Sequence, residues 1–195
     1  MKRPAVAAAV AFAAAAVAIC LFQLAAPTFA SANSDPVGKV CPGRLTMSLA
    51  GQMHVLPYCT SQPLDAPDPG IGLLIVVIHG SSRDAEGALG AIAKSVAVAG
   101  ARGTGTLIVA PQFLMDVDAK AHKLANDVLR WRRLAGGADW EEGWDQGNDS
   151  DSVTGAVSSF AVLDGALEAL TDVARFPNLK RIVLTGLSLG AQFVN

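Results

Sequence analysis

From Leu73 to Ile78 six apolar residues follow one another without a break, Ile75, Val76, Val77 and Ile78 among them β-branched. Such a run predicts a strand covered on both faces of a sheet. Thr106 to Ala110, ended by Pro111, is a second run of this kind, and Arg181 to Thr185, followed by a sharp turn from Gly186, reads as a third buried strand. Between the first two, the alanine-rich stretch Asp84 to Ala99 opens after Ser81 and Ser82 as caps and stops at Gly100, which predicts a helix. Val153, Val157, Phe160, Leu163, Leu167, Leu170 and Val173 recur at spacings of three and four, so an amphipathic helix is expected from Ser150 or Thr154 to Arg175, stopped by Phe176-Pro177.

Nearer the N-terminus, after a polar linker at Asn33 to Lys39, Arg44 to Ala50 and Gln52 to Tyr58 read as two short strands around Gly51. The alternation of Leu45, Met47 and Leu49 predicts a half-buried hairpin. Pro63 to Gly72, rich in proline and glycine, is a connection. The order strand, helix, strand, excursion, helix, strand predicts an α/β layer architecture with right-handed crossovers, a mostly parallel sheet flanked by helices.

The excursion runs from Gln112 to Thr154 and is too long for a simple connector, so it is expected to be partly structured over one end of the sheet, with a short helix within Ala119 to Arg133. It carries Trp131, Trp140 and Trp144 among Gly136, Gly137, Gly143 and Gly147. The tryptophans read either as the wall of a substrate cleft or as a small satellite core.

Composition divides the chain. Much of its 51% hydrophobic content lies in the first 30 residues, where Lys2 and Arg3 precede an apolar run from Ala5 to Phe22, broken by Gln23 and followed by the small residues Ala30-Ser31-Ala32. A basic start, an apolar middle and an A-x-A site form a secretory signal peptide, residues 1–32, which predicts a secreted or periplasmic protein. The alternative is an uncleaved anchor helix, the only membrane contact expected. Lipid modification of Cys20 is disfavoured by Ile19, where that signal wants a small residue. The remainder, residues 33–195, has the length of one domain.

The whole chain holds 15 Lys and Arg against 17 Asp and Glu, and two of the basic residues belong to the signal, so the remainder is the more acidic. That balance argues against a nucleic-acid partner, which needs clustered cations to neutralise phosphate. In an oxidising compartment Cys41 and Cys59, 18 positions apart, read as one disulfide, the alternative being two free buried thiols. His54, His79 and His122 show no zinc-ligand spacing with either cysteine, and no metal or organic cofactor is expected.

Two short motifs carry the chemistry. Gly186-Leu187-Ser188-Leu189-Gly190 is a G-x-S-x-G pentapeptide lying after the strand that contains Ile182 to Leu184 and before a helix that Ala191 and Gln192 begin. A nucleophile elbow holds its serine in a strained backbone, and side chains at the flanking glycines would collide with the neighbouring strand and helix. Ser188 is thereby presented above the sheet edge, facing the backbone N–H of Leu189 as an oxyanion donor. The second motif is Ile78-His79-Gly80-Ser81 at the end of the first long strand, where Gly80 lets the backbone turn so that the N–H of Ser81 or Ser82 points into the same site.

The HG pair at one strand end and GLSLG at a later one resemble the α/β-hydrolase superfamily. Thr185 to Gln192, preceded by Phe176-Pro177-Asn178-Leu179, is similar to exported bacterial members close to esterases and polyester depolymerases. The resemblance spans about Leu45 to Asn195 and implies an ester hydrolase with Ser188 as nucleophile and the N–H groups of Leu189 and Ser81 as oxyanion hole, supported by His79, Gly80, Gly186 and Gly190. Leu187 and Leu189 depart from the His and Ala often seen in such elbows.

His79 reads as a buttress of the oxyanion turn, a place that conflicts with the alternative role of catalytic base; His54 and His122 read as surface or hairpin residues. In the superfamily an acid and then a histidine follow the serine. The residues from Leu189 to Asn195 contain neither, so the resemblance implies the N-terminal part of a hydrolase, inactive as this chain, in which the apolar third strand lies at a sheet border. A non-catalytic product, or a binding module built on the 131–144 excursion, is the alternative. An arrangement with His79 or His122 upstream of the serine, as in other serine proteases, fits the strand-elbow-helix context poorly.

Overall fold

The computed structural model describes residues 35–99, 105–132, 143–152 and 154–195. The segment read as an export signal, with Cys20, lies outside the described residues, as do Gly100, Arg133, Gly136, Gly137, Trp140 and Val153. Among the described residues no helix is long and apolar enough to cross a membrane.

The chain enters through β1 (Gly43–Leu49) and β2 (Gln52–Thr60), joined at Ala50 and Gly51, which both adopt positive φ, 49° and 77°. That is the twist a two-residue hairpin turn needs, and it sets Leu49 against Gln52. β3 (Leu73–Ile78) and β4 (Thr106–Pro111) follow, with helix α1 (Ala85–Val98) between them. The cap of α1 is Asp84, whose carboxylate accepts from the Gly87 N–H; Ser81 and Ser82 belong to the preceding turn instead.

The expected short helix appears earlier, as α2 (Asp116–Ala121) after the two-residue strand β5 (Leu114–Met115), and the excursion returns through β6 (Arg130–Trp131) and a 3-10 turn at Trp144–Gln146. Helix α3 (Ser159–Leu170) is shorter than its periodicity predicts. Ser158 caps it through Ala161 N–H at 3.1 Å, while the chain before it is committed to a bridge between Asp149 and Ser158 and a bond from Ser150 N–H to the Val157 carbonyl. β7 (Arg181–Gly186) and the short α4 (Leu189–Phe193) complete the described fold.

The main sheet has the order β1-β2-β4-β3-β7. It corrects the expectation of a mostly parallel, α/β-hydrolase-type sheet. β1 with β2 and β2 with β4 are antiparallel; only β4 with β3 and β3 with β7 are parallel. The cause is local. A two-residue turn can only return a strand antiparallel to itself, and β2 then docks on β4 through Cys59 opposite Ala110. The result is a mixed sheet.

Alternation along β3 sorts its side chains onto two faces. Leu74, Val76 and Ile78 join Leu107, Val109 and the buried face of α3, whereas Ile75 and Val77 join Ile108, Ala110 and α1. Cys41 and Cys59 form a disulfide against the α1 face. β7 lies at the sheet border, as expected, but its reading as a buried strand is corrected: Ile182, Val183 and Leu184 are exposed, because nothing among the described residues covers it on the side away from β3.

Candidate functional site

β3 and β7 run parallel in register, Val77 opposite Thr185 and Ile78 opposite Gly186, so their C-terminal ends deliver His79-Gly80 and Leu187-Ser188 to one place. The Leu187 N–H extends the ladder by one bond, to the Ile78 carbonyl at 2.9 Å. The chain then reverses at Ser188, with φ 54° and ψ −118°, and enters α4. This is a sparsely populated conformation for a residue with a Cβ.

Two glycines make that reversal possible. A Cβ on Gly186 would collide with the carbonyl carbon and oxygen of Gly190 and stand 2.5 Å from Ala191 N. One on Gly190 would run into the carbonyl oxygens of Ile78 and His79. All of these are backbone atoms with no room to yield. Ser188 itself is exposed and makes no capping bond to α4. Leu189 is the first residue of α4, a position whose N–H has no acceptor within the helix.

Across from Ser188 stands the turn Gly80 to Arg83. The Gly80 carbonyl accepts from the Arg83 N–H at 3.0 Å and from His79 Nδ1–H at 2.8 Å. His79 Nε2 in turn accepts the Phe113 N–H at 2.9 Å, which makes the ring a neutral imidazole with its proton on Nδ1. Burial pushes its pKa from 6.5 down to about 4, against the raising effect of the bond to Gly80. With no exposure and both nitrogens engaged, His79 is a strut of the turn.

The other histidines lie elsewhere. His54 sits in the hairpin but is fully buried rather than at the surface; its Nδ1 lies 3.1 Å from Thr154 Oγ1, its Nε2 has no partner, and burial lowers its pKa. His122 donates from Nε2 to the Val37 carbonyl at 2.6 Å. None of the three is hydrogen-bonded to Ser188. Among the described residues no group of His, Cys, Asp and Glu is placed to hold a metal ion.

Trp131 and Trp144 have no exposure and belong to the main core, neither a cleft wall nor a satellite. With Phe113 and Phe193 they form an aromatic floor. Phe193 of α4 meets Phe113 at 5.3 Å, Trp144 at 5.6 Å and Phe160 at 5.1 Å, and His79 meets Trp144 at 4.9 Å. The helix after Ser188 and the ring that holds the Gly80 turn thus rest on the same aromatic residues.

Sequence reasoning missed three polar residues behind the turn: Arg83, Gln112 and Asp118, all essentially without exposure. Gln112 donates from Nε2 to the Arg83 carbonyl at 2.9 Å, and Arg83 pairs with Asp118 at 2.8 Å. Arg83 followed by Asp84 looks like the charged start of a helix, and nothing in its spacing signals burial. No family model matches the chain, and no curated protein or solved structure matches it.

Proposed function

We propose that this chain carries Ser188 as the nucleophile of an exported serine hydrolase that cleaves carboxylic esters by acyl transfer, and that it reacts little by itself, because no base is bonded to Ser188 among the described residues. The observation that carries the reading is the backbone of Ser188: a strained, exposed serine at a strand-to-helix corner, directly opposite Gly80. Strain of this kind concentrates at functional sites, and two close-packed glycines maintain it here. The likeness of the two motifs to those of exported bacterial esterases and polyester depolymerases supports the same reading, and the Cys41–Cys59 bridge supports export.

In this reaction Ser188 Oγ attacks the ester carbonyl carbon, and the negative charge that develops on the carbonyl oxygen is met by the N–H groups of Leu189 and Ser81. The alcohol leaves with a proton, and water then releases the acid from the acyl-serine. The proton of Ser188 must pass to a base that His54, His79 and His122, bonded elsewhere, do not supply.

That last observation favours a second reading, a non-catalytic chain, although Trp131 and Trp144 are too buried to form the binding surface of the 131–144 excursion. Treating the protein with a fluorophosphonate probe and with p-nitrophenyl acetate separates the two. Labelling confined to Ser188 and lost in Ser188→Ala, with turnover above the Ala variant, is the expected result. A wild-type protein that reacts no faster than Ser188→Ala would refute the hydrolase reading.

A further inference from the structure

We propose that the buried Arg83–Asp118 pair is a positioning element of the ester site, holding the Gly80–Arg83 turn so that its Ser81 and Ser82 amides keep one direction. The inference rests on the hydrolase reading above and extends it to two residues that do not touch substrate.

The geometry is a fork closed on all sides. Arg83 donates from Nε to Asp118 Oδ2 at 2.8 Å and from Nη2 to Asp118 Oδ1 at 3.3 Å. Its Nη1 reaches the Ser81 carbonyl at 3.2 Å and its Nη2 the Asp35 carbonyl at 2.7 Å. Asp118 also accepts the Val37 N–H at 2.8 Å and the Met115 N–H at 2.7 Å. Both side chains have no exposure. A buried ion pair adds little to stability by itself, because removing two charges from water offsets most of their attraction. What this one does is join three separate pieces of chain: the segment at Asp35 to Val37, the turn, and the start of α2.

Peptide geometry turns that joint into aim. In a trans peptide the C=O and the next N–H point in opposite directions, and the described residues contain no cis bond. Holding the Gly80 carbonyl with His79 Nδ1 and Arg83 N therefore sets the direction of the Ser81 N–H. Holding the Ser81 carbonyl with Arg83 Nη1 does the same for the Ser82 N–H. Arg83 itself sits at φ 55°, a left-handed conformation that its side-chain bonds and the Gln112 bond to its carbonyl maintain.

The test is Arg83→Lys, with Asp118→Asn as a second variant, in the full chain. Lysine keeps the charge but lacks the planar fork that serves three acceptors at once. Expected are a cooperative melt, faster hydrogen exchange across residues 80–83, and a fall of about tenfold or more in kcat for p-nitrophenyl acetate and in the fluorophosphonate labelling rate, with KM within about twofold, as for a weakened oxyanion donor. A folded Arg83→Lys that labels and turns over at the wild-type rate, or whose turn exchanges no faster, overturns the proposal. Loss of fold in both variants also counts against it, since the pair would then be a folding element only. Failure of the hydrolase reading looks different: the wild type itself does not label.

Discussion

Gly80 faces Ser188 so closely that a Cβ on the glycine would lie 3.1 Å from the serine Cβ and 3.7 Å from its Oγ. The other near atom is the Leu187 carbonyl oxygen at 3.2 Å. A methyl group here is tight but not impossible, since neighbours need give only a few tenths of an ångström. Gly80→Ala should therefore fold, losing about 1–2 kcal/mol, while the fluorophosphonate reactivity of Ser188 falls because the added carbon occupies the space in front of it. Gly190→Ala differs in kind: its Cβ meets rigid carbonyls of Ile78 and His79, so a loss above about 3 kcal/mol is expected. Urea denaturation of the two variants checks the contrast, and equal losses would show that the corner is softer than it looks.

The φ of 54° and ψ of −118° at Ser188 allow the strain to be measured apart from the chemistry. Ser188→Ala and Ser188→Gly both remove the hydroxyl, but only glycine removes the Cβ that makes this backbone costly. The glycine variant is expected to be more stable than the alanine variant by about 1–2 kcal/mol. Equal stabilities in parallel denaturation curves would mean that the corner relaxes and stores no strain.

Which parts were legible in the sequence follows from what hydrophobic patterns encode. The β3 run matches its strand from Leu73 to Ile78, because continuous apolar residues between breakers are hard to place otherwise. The same logic gives β7 a burial that it does not have. Ile182 to Leu184 have the composition of a covered strand and are exposed, since a pattern records what a segment can bury and not what lies beside it. The mixed sheet was hidden for a related reason: the hairpin was visible around Gly51, but the choice of β2 to dock on β4 is made by tertiary contacts such as Cys59 opposite Ala110.

At the site, the serine corner announces itself through Gly186 and Gly190, whose backbone contacts admit no side chain, and the HG turn through Gly80, which faces Ser188 closely. The network behind them does not. Arg83 and Asp118 are 35 positions apart and meet only after β4 and β5 have placed α2 beside the turn. Charged residues of this kind read as solvated faces until the fold is known. The tryptophans were ambiguous because aromatic side chains suit a cleft wall and a core equally well.

The Cys41–Cys59 bridge closes a loop of 18 positions that contains β1 and all of β2 but Thr60. In the chain-entropy model such a loop contributes about 3 kcal/mol. Cys41→Ala/Cys59→Ala is expected to lose that amount, read as a lower urea midpoint with a somewhat steeper slope, because the unfolded chain without the bridge exposes more surface. Cys41 N–H also donates to Gln112 Oε1 at 2.8 Å, and Gln112 holds the Arg83 carbonyl. Faster hydrogen exchange at residues 80–83 should therefore accompany the loss. An unchanged turn in the double variant would confine the bridge to a purely local role.

The imidazole of His79 makes stability depend on acidity in a window that its pKa defines. In the unfolded chain the ring titrates near 6.5; in the folded protein burial holds it at about 4, with the Gly80 bond, Asp118 and Asp84 raising and Arg83 lowering it further. Between these values the unfolded state binds the extra proton, so acid favours unfolding. The neutral ring's contribution is present in full above pH 6.5 and is lost as the pH falls through the window to about 4, a change on the order of 3 kcal/mol. Burial lowers the His54 pKa as well and adds a slope of the same sign. His79→Gln offers an amide donor and acceptor in place of the two ring nitrogens but does not titrate, so its stability should fall less steeply between pH 6.5 and 4, with His54 still contributing to the slope that remains. Urea midpoints measured across this range decide the matter: identical pH slopes for the two proteins would mean that protonated His79 is accommodated in the fold, and that its bonds to Gly80 and Phe113 do not hold the ring neutral.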